Sequence, residues 1–215
     1  MVTGTGTGQS EGDYKEATIT RWAEDTAKVV DWLAEEHDQD QVVLVGAGVG
    51  GWVMLHTAQM RPDSVMGLVG VAADPDFTET LIRPALEERN PEVLAEIESK
   101  GIADFDWAGK PYTMTKNLLD DGKRMMVLNK GTKGIPITCP VRLIQGLGDE
   151  EIPPESALKI ADCLEGEDVV ITYVKYGRHA LEEDDADFQR IYTCIEDLER
   201  AVQRANYMIN MIRPV

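Results

Sequence analysis

The reading of the fold turns on one stretch, Gln41-Val-Val-Leu-Val-Gly46-Ala47-Gly48-Val49-Gly50-Gly51-Trp-Val-Met-Leu-His56. Its first part is a short β-branched run closed by glycine, apolar on both faces, which predicts a strand in the middle of a parallel sheet. A helix is expected to begin within the glycines and to end before Pro62. Ligands bind at the carboxyl ends of parallel strands, so a strand, glycine turn and helix in this order is where chemistry is to be sought. Two motifs lie on top of each other there. As G-x-G-x-x-G, with Asp74 closing the next strand, it fits a dinucleotide fingerprint, in which amides at a helix N-terminus hold a pyrophosphate. As G-x-S-x-G it is a nucleophile elbow whose serine is replaced by Gly48.

Working outward, Ile19, Trp22, Val29, Val30 and Leu33 recur at helical spacing within residues 18–37, a helix with one buried face. Further apolar strands are expected at residues 65–73, 141–146 and 169–174, separated by helical patterns that include residues 155–164. Such alternation gives an α/β fold with a parallel sheet. Residues 185–212 carry Phe188, Ile191, Tyr192, Ile195, Leu198 and Val202 on one helical face. A long covering helix is expected, its last turns (Tyr207, Met208, Met211, Ile212) forming a docking surface. Residues 74–136 have broken helical patterns and no convincing apolar strand, and are read as a helical cap inserted between core segments 1–73 and 137–215.

Composition narrows the partners. With 39 Asp and Glu against 21 Lys and Arg, the net charge of −18 repels phosphate backbones and anionic headgroups, which argues against nucleic acid. Cys139, Cys163 and Cys194 are too scattered for a disulfide framework or a metal site, and Cys139 reads as a small buried residue. No stretch is long and apolar enough for a membrane span, and the N-terminus lacks the features of a signal or transit peptide.

Several landmarks occur together and in order. They are Thr5-Gly-Thr-Gly-Gln-Ser-Glu-Gly12, the glycine elbow with Arg61-Pro62, Leu68-Val-Gly-Val-Ala-Ala-Asp-Pro-Asp-Phe77, and Val141-Arg-Leu-Ile-Gln-Gly-Leu-Gly-Asp149 with Ile152-Pro153. In these the chain resembles the α/β-hydrolase superfamily. Its nearest branch is the mitochondrial α/β-hydrolase domain-containing group of acyl-protein thioesterases and acyl-glucuronide esterases. The resemblance implies a truncated α/β-hydrolase fold and a Ser, Asp, His triad in chain order. Carried over by position, Gly48 takes the nucleophile's place, Asp149 the aspartate's and His179 the histidine's, with the Val49 amide as one oxyanion-hole donor. Glycine supplies no oxygen, so no acyl-enzyme can form there.

By the family's strand order, the strands that would pair with Val42-Val-Leu-Val45 and supply the second oxyanion donor would precede Met1. An uncovered edge of this kind invites another protein subunit. The expectation is therefore an inactive α/β-hydrolase-like accessory subunit of a larger assembly, for example a mitochondrial respiratory or ATP-synthase complex. Two alternatives stand beside it: a serine esterase or acyl-thioesterase whose sequence is incomplete or altered at Gly48, and a dinucleotide-binding module. No cofactor is expected in the first two. Location is mitochondrial by resemblance, otherwise cytoplasmic. His56 and His37 read as core or surface residues, and Ser10 as a turn residue. The acidic run Glu182-Glu-Asp-Asp-Ala-Asp187 reads as a helix start that also disfavours anionic substrates.

Overall fold

The computed structural model describes residues 3–128 and 134–212, apart from the side chains of residues 206 and 208–212. Four strands, β1 (Val42–Ala47), β2 (Val65–Val71), β5 (Val141–Gly146) and β6 (Val169–Val174), form a parallel sheet in the order β1-β2-β5-β6. Period-two alternation sends neighbouring residues of β2 to opposite faces, so that each face builds its own core. On one face Leu68 and Leu143 pack with Ile19 and Trp22 of α1 (Ile19–His37), with Trp52 and Leu55 of α2 (Val49–Met60), and with Ile160 of α6 (Glu155–Cys163). On the other, Val69, Val71 and Ile144 meet Ile191, Cys194 and Leu198 of the covering helix α7 (Asp185–Ile212). Arg142, buried in β5, fastens that helix by pairing with Asp197 at 2.5 Å, and also pairs at 2.7 Å with Asp168 just before β6.

The Thr18 side chain caps α1, accepting from the Arg21 amide, and Asp121 takes the next free donors, the Thr20 amide and hydroxyl, both at 2.8 Å. The glycine-rich N-terminal turn docks on the same helix. Asp25 accepts from the Thr5 amide and hydroxyl, and Trp22 Nε1 donates to the Thr5 carbonyl. Ser10 is bonded to Thr3 within that turn.

Two expectations are corrected. Among the described residues β1 is an edge strand, not the central one that its apolar run alone implied but in keeping with the uncovered edge that the resemblance implied, and Val45 stands half exposed. Apolar residues on both its faces reflect packing on both, with Val42 and Leu44 against one core cluster and Val43 against the other. The segment after β2 is not purely helical either. A five-residue π turn (Thr78–Ile82), α3 (Arg83–Arg89), α4 (Pro91–Lys100) and α5 (Lys116–Arg124) are joined by an antiparallel hairpin of β3 (Ile102–Trp107) and β4 (Lys110–Thr115). Its tip is a two-residue turn, Ala108-Gly109, with both residues at positive φ as a tight hairpin demands. Strand formation was masked because Asp104 and Asp106 interrupt the apolar residues on what is the hairpin's outer face.

Asp76 anchors this segment. Its carboxylate accepts from the Val127 and Leu128 amides, each at 2.8 Å, and is fully buried. Of the expected docking turns, Tyr207 is exposed, while Met208, Met211 and Ile212 lie outside the described side chains.

Candidate active site

The turn from β1 into α2 explains its glycines one by one. A Cβ on Gly46 would sit 2.4 Å from the Gly50 carbonyl oxygen, and one on Gly51 would sit 2.3 Å from the Ala73 Cβ, so strand and helix meet at backbone distance. Gly48, between them, has φ 52° and ψ −122°, a conformation costly for any residue with a side chain. Its carbonyl accepts from the Asp74 amide and its own amide donates to Val71, so the elbow is tied to the end of β2. Val49 follows as the first residue of α2, where helical N–H groups have no partner inside the helix and can meet a negative charge.

Among the described residues a Cβ built on Gly48 would find a single residue within 4 Å, His179, whose Nε2 lies 3.8 Å away. The opposite imidazole nitrogen, Nδ1, lies 3.1 Å from Asp149 Oδ2. An ionised carboxylate only accepts, so Nδ1 carries the proton and Nε2 turns its lone pair towards the elbow. Asp149 is in turn held by Gln145 Nε2 and by the Glu151 and Ile152 amides. Burial pushes the Asp149 carboxyl up, but the His179 hydrogen bond and these amides outweigh it and hold it below the usual carboxylate range. The same bond raises the His179 pKa against the opposing effect of burial, and Glu151, whose Oε2 lies 4.0 Å from Nε2, adds to the rise.

These groups open onto a cavity of about 280 Å³ with mostly apolar walls, Val49, Phe77, Leu81, Ile82, Trp107 and Ile152 among them. Trp107 and Tyr112 come from the β3–β4 hairpin, so the segment after β2 supplies a wall of the pocket. At the hairpin tip Lys110 pairs with Glu151 at 2.5 Å, tying it to the loop that carries Asp149. Beyond His179 lies a wider and more polar hollow of about 850 Å³, lined by Glu150, Glu183, Asp184 and Asp187 as well as Arg178. Part of the acidic run does start a helix, since Asp184 accepts from the Ala186 and Asp187 amides.

Gly48, Val49, Asp149 and His179, far apart in sequence, are thus brought to one place. His56 is not among them. It is buried in α2 and its Nε2 lies 2.8 Å from the Met125 carbonyl oxygen, beside the bond from Trp52 Nε1 to the same oxygen. His37 packs edge-on against Trp32 on the surface. Cys139 is half-buried, and burial pushes its thiol up to about 11. Glu151, Trp107 and Tyr112 carry no signal in the sequence as site residues, and Asp74 reads there only as part of a dinucleotide fingerprint. Asp74 in fact lines the cavity beside Gly48. Among the described residues no group of three or more His, Cys, Asp or Glu is placed to hold a metal ion, and no helix is long and apolar enough to cross a membrane.

Comparison with known proteins agrees with this geometry. The chain is 31% identical over 197 residues to human mitochondrial palmitoyl-protein thioesterase ABHD10, covering 90% of this chain and 60% of the relative. It therefore spans about three fifths of the length of the curated relatives it matches. Mouse α/β-hydrolase domain-containing protein 10 superposes with a TM-score of 0.74 at 29% identity, covering 92% of this chain and 75% of that one. A crystal structure from Agrobacterium vitis S4 superposes at 0.79 with 31% identity, over 91% of this chain and 74% of the other. The activity printed for the human relative bears on the esterase alternative, and no comparison bears on the expectation of an accessory subunit. Residues 1–195 match the model of the prolyl oligopeptidase family, and the chain belongs to that family, with an α/β-hydrolase fold.

Proposed function

We propose that the pocket is an acyl-ester or acyl-thioester hydrolase site in which water, activated by His179, stands in for the nucleophile that Gly48 cannot supply. The observation that carries this reading is the 3.8 Å from His179 Nε2 to the Cβ position of Gly48, with Nδ1 held by Asp149. A histidine so oriented is a general base aimed at the point of attack. The water oxygen bonds to the acyl carbon as its proton passes to Nε2, and the oxyanion turns to the Val49 amide. The C–S or C–O bond then breaks, and His179 returns the proton to the leaving thiolate or alkoxide. Products are a carboxylic acid and a thiol or alcohol. Because His179 must be neutral to act, the rate is expected to rise with pH through its raised pKa. Without a covalent step the enhancement is modest, of the order of the 10³–10⁴-fold left to hydrolases that lose a triad member.

The test compares the wild-type protein with Gly48→Ser and His179→Ala on acyl-thioesters and p-nitrophenyl esters. The reading expects slow wild-type hydrolysis that His179→Ala abolishes, and in Gly48→Ser faster turnover with covalent labelling by a fluorophosphonate. Absence of turnover in both wild type and Gly48→Ser would sink it.

The glycine itself favours a second reading, an inactive accessory subunit held in an assembly through the open edge of β1. Wild-type protein without turnover, recovered in stoichiometric complex with another subunit, would support that reading over the first. Mitochondrial location is proposed for the chain on the printed names of its relatives.

A further inference from the structure

One group in the pocket has no role in the reaction just derived. Asp74 lies three residues after β2, is only 4% exposed, and lines the same cavity as Gly48 and His179. Its Oδ1 accepts from the Ser156 hydroxyl at 3.0 Å, near the start of α6. Its Oδ2 is buried and has no hydrogen-bond partner among the described residues. Leaving such an oxygen without a hydrogen bond is unfavourable, and beside walls as apolar as Phe77 and Ile82 no described residue donates one, the charge of Lys159 acting only through space. The backbone around it is held in place. Ala72 and Asp76, on either side, both adopt positive φ, and the Asp74 amide is tied to the Gly48 carbonyl. An apolar acyl chain entering this pocket would cover a carboxyl oxygen with hydrocarbon. An acyl chain carrying a hydroxyl near its carbonyl would give that oxygen its missing donor.

We propose that Asp74 is a specificity-determining residue, whose Oδ2 selects acyl groups bearing a hydroxyl within the first few carbons of the ester or thioester carbonyl. This rests on the hydrolase reading and sharpens it by naming the substrate class. Burial pushes the Asp74 carboxyl up to about 6, against the hydrogen bond from Ser156. A hydroxyl suits either protonation state, accepting from the acid or donating to the carboxylate. A site built to bond a substrate hydroxyl discriminates against the analogue lacking it, because its own polar group is then left unpaired.

The test measures kcat/KM for matched butyryl and 3-hydroxybutyryl thioesters in the Gly48→Ser protein, alone and combined with Asp74→Asn, Asp74→Ala and Asp74→Leu. Binding of butyrate and 3-hydroxybutyrate to the wild-type chain is followed in parallel by calorimetry. With Asp74 in place the hydroxyacyl substrate should be favoured by about tenfold or more. Asn, which keeps a carbonyl acceptor, should retain part of that preference. Ala and Leu should lose or reverse it as the plain acyl substrate improves. If Asp74 serves only to hold Ser156, both substrates will fall in proportion and the ratio will stay constant across the variants, which overturns the inference while the hydrolase reading stands. If neither substrate is turned over nor either acid bound, the hydrolase reading fails, and the inference fails with it.

Discussion

Asp149→Asn would change one atom at the centre of the site, and its effects can be worked out bond by bond. In the wild type Oδ1 accepts from the Glu151 and Ile152 amides, while Oδ2 accepts from His179 Nδ1 and Gln145 Nε2. An asparagine can keep its oxygen on the two amides, but its NH₂ must then face two donors. His179 can escape by moving its proton to Nε2, so that Nδ1 accepts. Gln145 can escape only by turning its amide. One bond is thus lost or reversed in a fully buried position, which costs about 1–3 kcal/mol. For a domain of this size that lowers Tm by about 2–10 °C.

The pH dependence has a definite sign. His179 is raised above its ordinary value, so its contribution is fully present below about 6.5 and is lost as pH rises through the folded pKa. Asp149 is depressed, so its contribution is present above about 3.9 and is lost as pH falls through the folded pKa. The stability gap between wild type and variant should therefore be widest between about pH 4 and 6.5 and should narrow as pH rises through the raised pKa of His179. The assay is urea denaturation across that range with NMR titration of the imidazole. In the variant the His179 pKa should fall towards or below its ordinary value, and hydrolysis should fail because Nε2 now bears the proton. An unchanged His179 titration in Asp149→Asn would refute the assignment of the raised pKa to this pair.

Gly48→Ala should cost about 1–3 kcal/mol, because alanine is forced to positive φ, and should abolish any wild-type hydrolysis by placing a methyl where water must attack; thermal melts and ester assays check both. Gly51→Ala brings its Cβ within 2.3 Å of the Ala73 Cβ, where α2 meets the segment after β2, and should destabilise by about 1–3 kcal/mol in chemical denaturation without altering the His179 titration. Asp76→Ala strands the Val127 and Leu128 amides at about 1–3 kcal/mol each, so faster hydrogen exchange at those two amides is the expected signature. Val45→Lys, at an exposed position of β1, should leave folding unchanged and weaken any complex made through that edge, as native mass measurement would show.

What was legible in the sequence, and what was not, follows from the range of the forces involved. The parallel strands and their helices could be read because burial on two faces leaves a continuous apolar run, and burial on one leaves a 3.6-residue period. The elbow could be read because close approach of two backbones permits only glycine, as Gly46 and Gly51 show. The hairpin escaped because its strands bury little, and alternation of Asp104 and Asp106 with Phe105 and Trp107 resembles a polar loop until a partner strand is seen. The apolar run of β1 by itself pointed to the middle of the sheet, because such a pattern records what a strand can bury, not which neighbours it has, and only the resemblance pointed to an edge. Asp74 is the instructive case. Its carboxyl ends up buried beside an apolar pocket, and nothing local announces it, since an aspartate after a strand is most often a turn residue at the surface. Its desolvation arises only when β2, α6 and the hairpin converge, three elements spread over more than eighty residues. A group whose energy is set by assembly alone is invisible to periodicity, and it is also the kind of group that can distinguish one ligand from another, because its unmet hydrogen bond must be completed from outside the chain.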